Sequence, residues 1–334
     1  MDYIIVFIFS LLFFLIVGKL SIKLKLLDKP NKRKIHKKAT PYTGGLAIAF
    51  SFLLIIYVSD FTEKNLNNLL VGAFIIAIFG LLDDKYSLNV GSKLISQLLP
   101  IIYLVFYYGI LLENLGKYPL IGILELGSFS LIFTILCVYF LINASNYLDG
   151  LDGVLATNFL ISLYSLFVFN KNLNFDFSNF IIFISIPFFI FLLFNYSIFK
   201  FTKMFLGDSG SFLIGYTLSF TMILAYKKYG IDISLIVWSL SFLVYEFLCV
   251  NLIRLFNKKP LFKASKDHIH HLIFYKNNSI IKTNIYLMCI QLFLILFGYI
   301  IFKLFGNTVS MISFICFFPF FLLLRLSIKN LFNR

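Results

Sequence analysis

Runs of about 20 apolar residues recur from one end of this 334-residue chain to the other, each long enough to cross a bilayer as a helix. The runs are continuous rather than alternating, which argues against a transmembrane β-barrel. Hydrophobic residues make up 60% of the sequence and mean hydropathy is +0.93, well above the roughly 45–50% apolar content of soluble domains. The chain therefore reads as an all-α polytopic integral membrane protein. No polar stretch is long enough for a soluble domain, so one transmembrane domain over residues 1–334 is expected. Any chemistry must come from loops and helix ends.

Eleven spans are expected, near residues 3–22, 43–59, 67–82, 93–110, 127–143, 153–170, 178–197, 210–226, 232–253, 283–303 and 308–326. The stretch YPLIGILELGSF before the fifth could instead form a short external hairpin. The first run has no basic lead-in and no small-residue cleavage site, and positive charge follows it. It reads as a retained span with the N-terminus outside. In that orientation only Lys64, Lys117, Lys171, Lys227, Lys228 and Lys303 of the 29 Lys and Arg residues lie outside. The connections 23–42, 83–92, 144–152, 198–209 and 254–282 and the C-terminus become cytoplasmic. Membrane topology thus accounts for most of the net charge of +14, and nucleic acid need not be invoked. Cys137, Cys249, Cys289 and Cys316 lie in or near apolar runs with no CxxC spacing. They suit small buried hydrophobes rather than a disulfide framework or a zinc site.

Only 15 residues are acidic. Five of them, Asp83, Asp84, Asp149, Asp152 and Asp208, fall at the expected cytoplasmic helix ends, as do His268, His270 and His271, with His36 in another inner loop. A boundary spares these carboxylates the roughly 2.5–3.5 kcal/mol of facing lipid.

Each polar motif has a plain reading and a functional one. Adjacent Asp83 and Asp84 could be a solvated helix end, or a close pair that needs Lys85 or a metal ion beside it. In NASNYLDGLDG, Asn146, Asp149 and Asp152 step by three and would share one side of a helix. Gly150 and Gly153 leave room for a ligand, although a tight polar turn with an Asp cap has similar residues. In FLGDSGSFLIGY, Asp208 could cap a helix or bind a hard cation such as Mg²⁺, with Ser209 and nearby N–H groups facing phosphate. KASKDHIHHLIFYK fits no standard zinc spacing, and with Lys263 and Lys266 it suits anion contact or a plain solvated loop. The basic loop LDKPNKRKIHKKATPYTGG is explained by topology, except for the ordered TPYTGG at its end. Hard-metal ligands, bases and cations on one membrane face suggest phosphoryl transfer. The P-loop pattern GxxxxGK[ST], the DGxxAR motif of phospholipid-type alcohol phosphotransferases and the protein-kinase pattern are all missing.

In this order, RKIH…TPYTGG, LLDDK, NASNYLDGLDGVLA, FLGDSGS and HIHHL resemble the polyprenyl-phosphate N-acetylhexosamine-1-phosphate transferases over residues 30–272. The resemblance implies transfer of a sugar-1-phosphate from a UDP-linked N-acetylamino sugar to polyprenyl (undecaprenyl) phosphate, with release of UMP. It also implies a Mg²⁺ or Mn²⁺ cofactor and a catalytic site on the cytoplasmic leaflet of the cell membrane. PNKRKIH and HIHH are closer to the UDP-N-acetylglucosamine branch than to the phospho-N-acetylmuramoyl-pentapeptide branch. A carrier without catalysis is the remaining alternative. The implied partners are the nucleotide sugar, the lipid phosphate and the membrane, with room for a homodimer.

The resemblance assigns metal binding to Asp208 with Asp149, and deprotonation of the lipid phosphate, or nucleophilic attack, to Asp83 supported by Asp84. Asn146, Asp149 and Asp152 would line the nucleotide-sugar pocket, and Phe205 would stack on uracil. His270 and His271 belong to the catalytic set, with His268, Lys37 and Lys85 contacting substrate. Two departures touch the sugar end: Asp267 stands directly before the histidines, and Asn195 is unusually far from Asp208. Glu246, inside the ninth apolar run, is a functional candidate by its position, with Arg254 as an expected partner and a purely structural ion pair as the other reading.

Overall fold

The computed structural model describes every residue except 31–35, 37, 60, 120, 172, 261–266, 333 and 334. Helices carry the fold: α1 Asp2–Lys23, α2 Gly44–Val58, α3 Lys64–Tyr86, α4 Val90–Ile102, α5 Ser130–Leu148, α6 Val154–Phe169, α7 Phe175–Asn195, α8 Gly207–Lys227, α9 Ile233–Ser239, α10 Ser241–Phe256, α11 Ile269–Asn277 and α12 Ile280–Phe332. Two short antiparallel ribbons complete it, β1 Leu27–Asp28 with β2 Thr40–Pro41, and β3 Asn114–Tyr118 with β4 Gly122–Glu125. The second ribbon is the hairpin left open by the sequence, and it delays the start of α5 to Ser130.

Among the described residues, seven helices are long and apolar enough to cross a bilayer, or eight if the bent pair α9–α10 is one span. The chain is a polytopic, predominantly α-helical membrane protein. Exposed Ile4, Phe7, Ile8, Leu12, Ile16 and Leu20 show why α1 needs lipid around it. The long run α12 is broken at Gly306, whose φ of +81° departs from helical geometry. This is where the sequence separates its last two apolar runs.

The contacts divide the chain into two compact units. One comprises Met1–Leu111, Thr134–Ala156 and Asn172–Thr221; the other comprises Leu112–Phe133, Thr157–Lys171 and Met222–Arg334. In the first unit, α8 is the enclosed element, with 94% of its most apolar window buried. One of its buried hydroxyls is satisfied by the helix itself, where Gly215 C=O accepts from Ser219 Oγ at 2.6 Å. Small residues let its neighbours approach closely, as between membrane helices generally. A Cβ on Gly215 would lie 2.4 Å from Ile142 Cα of α5, and one on Gly80 of α3 would lie 2.5 Å from the Asp208 carbonyl oxygen. These contacts bring the ends of α3 and α5 to the first turn of α8.

In the second unit, Trp238 is fully buried beside Phe297, Phe314 and Phe317 and donates from Nε1 to the Ser310 carbonyl at 3.1 Å. Gly298 makes room for the indole, since a Cβ there would stand 2.1 Å from the ring. Gln291 ties α12 to α6 through the Asn158 carbonyl at 3.0 Å and Ser162 Oγ at 2.9 Å.

Candidate active site

The TPYTGG segment laces the start of α2 to the strand of chain that leads into α8. Phe205 N–H donates to Pro41 C=O at 2.7 Å, Gly44 N–H to Phe205 C=O at 2.9 Å, and Gly45 N–H to Leu206 C=O at 3.0 Å. The paired glycines are required by close approach: a Cβ on Gly45 would lie 2.1 Å from Gly210 N. Gly207 then turns the chain into α8 at φ +73°. Asn195 Nδ2 secures the same segment through the Met204 carbonyl at 2.8 Å. The order unexplained by charge thus serves to fix Asp208 in place.

Asp208, Asp83 and Asp84 meet there. Lys93 Nζ lies 2.7 Å from Asp83 Oδ2 and 2.9 Å from Asp208 Oδ2. Asp83, at the end of α3, is buried and also accepts from Leu88 N–H at 3.0 Å. Asp84 accepts from Ser209 N–H, in the first turn of α8, at 3.3 Å. Asn146 Nδ2 donates to Asp208 Oδ1 at 2.7 Å and to Ser211 Oγ at 3.0 Å. Charge-assisted bonds of this kind orient a carboxylate more strongly than neutral ones. Lys93 was not singled out in the sequence, where it is one of 29 basic residues. Its spacing from Asp83 does not announce the pairing. Lys85, the basic residue next to the aspartates, is exposed and holds its ammonium 5.1 Å from the Tyr86 ring centroid.

The helical step expected for Asn146, Asp149 and Asp152 is corrected by the structure. α5 ends at Leu148, and residues 149–153 form turns, with Gly153 at φ +77°. Asn146 consequently serves Asp208, whereas Asp152 pairs with Lys203 Nζ at 2.5 Å. Burial raises the Asp152 carboxyl, and Lys203 and His36 oppose that rise. Burial, then the charges of Asp208 and Asp152, pushes Asp149 up to about 8.

Among the described residues, no three His, Cys, Asp or Glu side chains are arranged as a ready metal cage. The donor chemistry nevertheless fits a hard divalent cation. Asp83, Asp84, Asp149 and Asp208 present carboxylate oxygens, and the raised Asp149 is a group that an added cation would ionise.

Phe205 lies between two basic side chains. Lys203 Nζ is 5.3 Å from its ring centroid, and the His36 ring centroid lies 5.0 Å from it with the two planes at 66°. His36 Nε2 is in turn 3.8 Å from Asp28 Oδ2. A half-exposed aromatic beside a lysine and a histidine suits a flat, anionic ligand such as a nucleotide. Lys37, expected nearby, lies outside the described residues, as do Lys263 and Lys266.

The histidines belong to the second unit and form their own cluster. Ring centroids lie 5.4 Å apart for His268 and His270, and 4.3 Å apart for His270 and His271. His268 stands at the N-cap of α11, and His270 is fully buried. Burial, then the charge of Arg254, pushes His268 down to about 3; burial, then His271, holds His270 well below the usual histidine range. Glu246 faces this cluster from α10, with its Oε1 3.8 Å from His268 Nδ1. Arg325 Nε supplies a charge partner for Glu246 at 3.0 Å, a pairing that spacing within α10 could not reveal.

Residues 66–226 match the family model of glycosyl transferase family 4. The match includes the aspartates, Asn146 and Phe205 but not the histidines. Over 170 residues the chain is 35% identical to a protein of Bacillus subtilis (strain 168) named "Probable undecaprenyl-phosphate N-acetylglucosaminyl 1-phosphate transferase", covering 49% of this chain and 47% of that one. Identity is 31% over 150 residues to the undecaprenyl-phosphate alpha-N-acetylglucosaminyl 1-phosphate transferase of Yersinia pestis, covering 45% and 41%. It is 30% over 154 residues to the protein of that name in Escherichia coli (strain K12), covering 46% and 42%. The matched part of the chain spans less than half the length of these relatives.

Proposed function

Because residues 66–226 match the family model of glycosyl transferase family 4, we propose that the chain belongs to that family, transfers N-acetylhexosamine-1-phosphate from a UDP-sugar to polyprenyl phosphate and releases UMP. The donor is UDP-N-acetylglucosamine or a close relative and the acceptor undecaprenyl phosphate, in keeping with the names of the relatives. The observation that carries this reading is the convergence of Asp83 and Asp208 on Lys93, with Asn146 holding the second oxygen of Asp208.

An oxygen of the lipid phosphate attacks the sugar-bearing phosphorus of the donor. The new P–O bond forms as the bond to the UMP oxygen breaks, and UMP leaves with the electron pair. Such a reaction needs positioned charge more than covalent help from the protein. Asp83, held by Lys93 and the Leu88 N–H, would take the proton of the acceptor phosphate. Phe205 offers its face to uracil, with Lys203 and His36 beside it for phosphate. Mg²⁺ or Mn²⁺, held by Asp208 and Asp149, would neutralise the diphosphate and the departing UMP.

In this reading the chain crosses the cell (inner) membrane eleven times, with the N-terminus outside and the site on the cytoplasmic face. The shorter apolar helices Gly44–Val58 and Val154–Phe169, the bent pair α9–α10 and the break at Gly306 support that count. Its product would begin a cell-envelope polysaccharide such as lipopolysaccharide or a wall polymer.

The test is UMP release by the purified protein with Mg²⁺, undecaprenyl phosphate and a panel of UDP-sugars. Release with UDP-N-acetylglucosamine or a close N-acetyl relative, lost in Asp208→Asn, is the expected result. Release only with the muramoyl-pentapeptide nucleotide would keep the chemistry and change the donor. Silence with every donor from folded protein would overturn the reading.

A further inference from the structure

The histidine helix α11 begins without a side-chain cap of its own. The first N–H groups of a helix have no partner within it. Here Ile269 N–H donates 2.8 Å to Glu246 Oε1, so a carboxylate from α10 does what a local cap would do. The other oxygen of Glu246 accepts from Arg325 Nε at 3.0 Å, and Arg325 Nη2 reaches the Asp267 carbonyl at 2.5 Å. The pair therefore grips the backbone on both sides of His268.

Both members are almost wholly buried, Glu246 at 3% and Arg325 at 1% exposure. A buried ion pair is a poor way to stabilise a fold, because desolvation offsets most of the attraction and apolar replacements often serve as well. This pair also directs hydrogen bonds to residues 267 and 269, in the one segment that carries the histidines. Among the described residues, neither ring nitrogen of His270 has a hydrogen-bond partner, although the ring is fully buried. No polar contact of its own fixes that ring. Its direction follows from packing against His268 and His271 and from how the first turn of α11 is anchored.

We propose that Glu246 and Arg325 are positioning residues: a buried ion pair that fixes the first turn of α11 and, through it, the orientation of the His270 ring. That this orientation matters for turnover rests on the transferase reading. It gives Glu246 a role that its place in an apolar run only hinted at, and it draws the last helix into the working parts of the enzyme.

The test compares the full-length protein in lipid nanodiscs with Glu246→Gln, Arg325→Gln, Arg325→Lys and the double Glu246→Gln/Arg325→Gln variant. Deuterium uptake and steady-state UMP release are measured on each. The glutamine variants should exchange faster across residues 267–273 while α1 and the remainder of α12 keep wild-type uptake. Their kcat should fall about tenfold or more, the penalty of a misplaced catalytic group, with a smaller change in the KM for the UDP-sugar. Arg325→Lys should recover part of kcat, because it restores the charge but cannot reach Glu246 and Asp267 together. The double variant should be no worse than the weaker single one, since the two residues act as a unit. Unchanged uptake at 267–273, or faster exchange spread through all of α10 and α12, would overturn the proposal. If the wild type released no UMP, the transferase reading would fall separately, and the exchange pattern would still decide whether the pair anchors α11.

Discussion

Lys93 and Asp83 form an ion pair of 2.7 Å in which the carboxylate side is 6% exposed and the ammonium side 26%. Removing the lysine strands a buried carboxylate, a change that costs about 3–5 kcal/mol when both partners are fully buried. Partial exposure of Lys93 reduces this, so Lys93→Met should cost about 2 kcal/mol. Its effect on activity should be larger, because Asp208 loses the same ammonium. Thermal unfolding in detergent and UMP release, measured on one preparation, would separate the two effects. A variant with full activity would remove Lys93 from the site.

Asn146 holds Asp208 through a neutral amide, which makes it a clean probe of orientation. Asn146→Ala should leave the fold intact and lower kcat by about 10- to 100-fold, the usual scale for losing a group that positions a charged residue. Asn146→Asp should do worse, since it adds a carboxylate beside Asp83, Asp84 and Asp208 where a donor was needed. The comparison needs only initial rates at saturating donor. An aspartate variant more active than the alanine one would contradict the assigned role.

Much of this architecture was legible in the sequence because apolar length is a local property. Each helix over an apolar run, the hairpin at YPLIGILELGSF and the break between the last two runs lie in short windows of residues. The motif aspartates were legible because acids are scarce in so apolar a chain. Lys93, Lys203 and Arg325 were not. Each is a single basic residue in a chain where membrane topology already accounts for basic residues, and the partners of Lys93 and Arg325 in Asp208 and Glu246 lie 115 and 79 positions away. The step of three from Asn146 to Asp152 misled for a related reason. Periodicity assumes a continuous helix, and the turns at Gly150 and Gly153 end it.

The histidine cluster sets the sign of one pH dependence. His268 is held down to about 3 and His270 well below the usual range, chiefly by burial. Unfolded, both would titrate near 6.5. Between that value and about 3, the unfolded chain binds protons at His268 that the folded chain refuses, so stability falls as pH drops through this window. His268→Gln should flatten the acid limb of a plot of unfolding temperature against pH and leave the neutral region little changed. A parallel slope in the variant would show that other groups govern acid sensitivity.

Gly207 and Gly109 separate conformational strain from close packing. Both have positive φ, +73° and +60°, where an L-residue costs about 1–2 kcal/mol. A Cβ on Gly109 would meet nothing within 4 Å, so Gly109→Ala should cost no more than that. A Cβ on Gly207 would lie 2.3 Å from the Tyr42 carbonyl oxygen and 2.6 Å from Asp84 Oδ2. One of those atoms must then move, at a further cost of about 1–3 kcal/mol for overpacking. Either movement disturbs the site, through the TPYTGG lacing or through Asp84. Gly207→Ala should therefore lose UMP release well beyond its loss of stability, while Gly109→Ala should lose stability alone. Equal effects on both measures at the two positions would mean that the close approach at Gly207 has no part in placing Asp208.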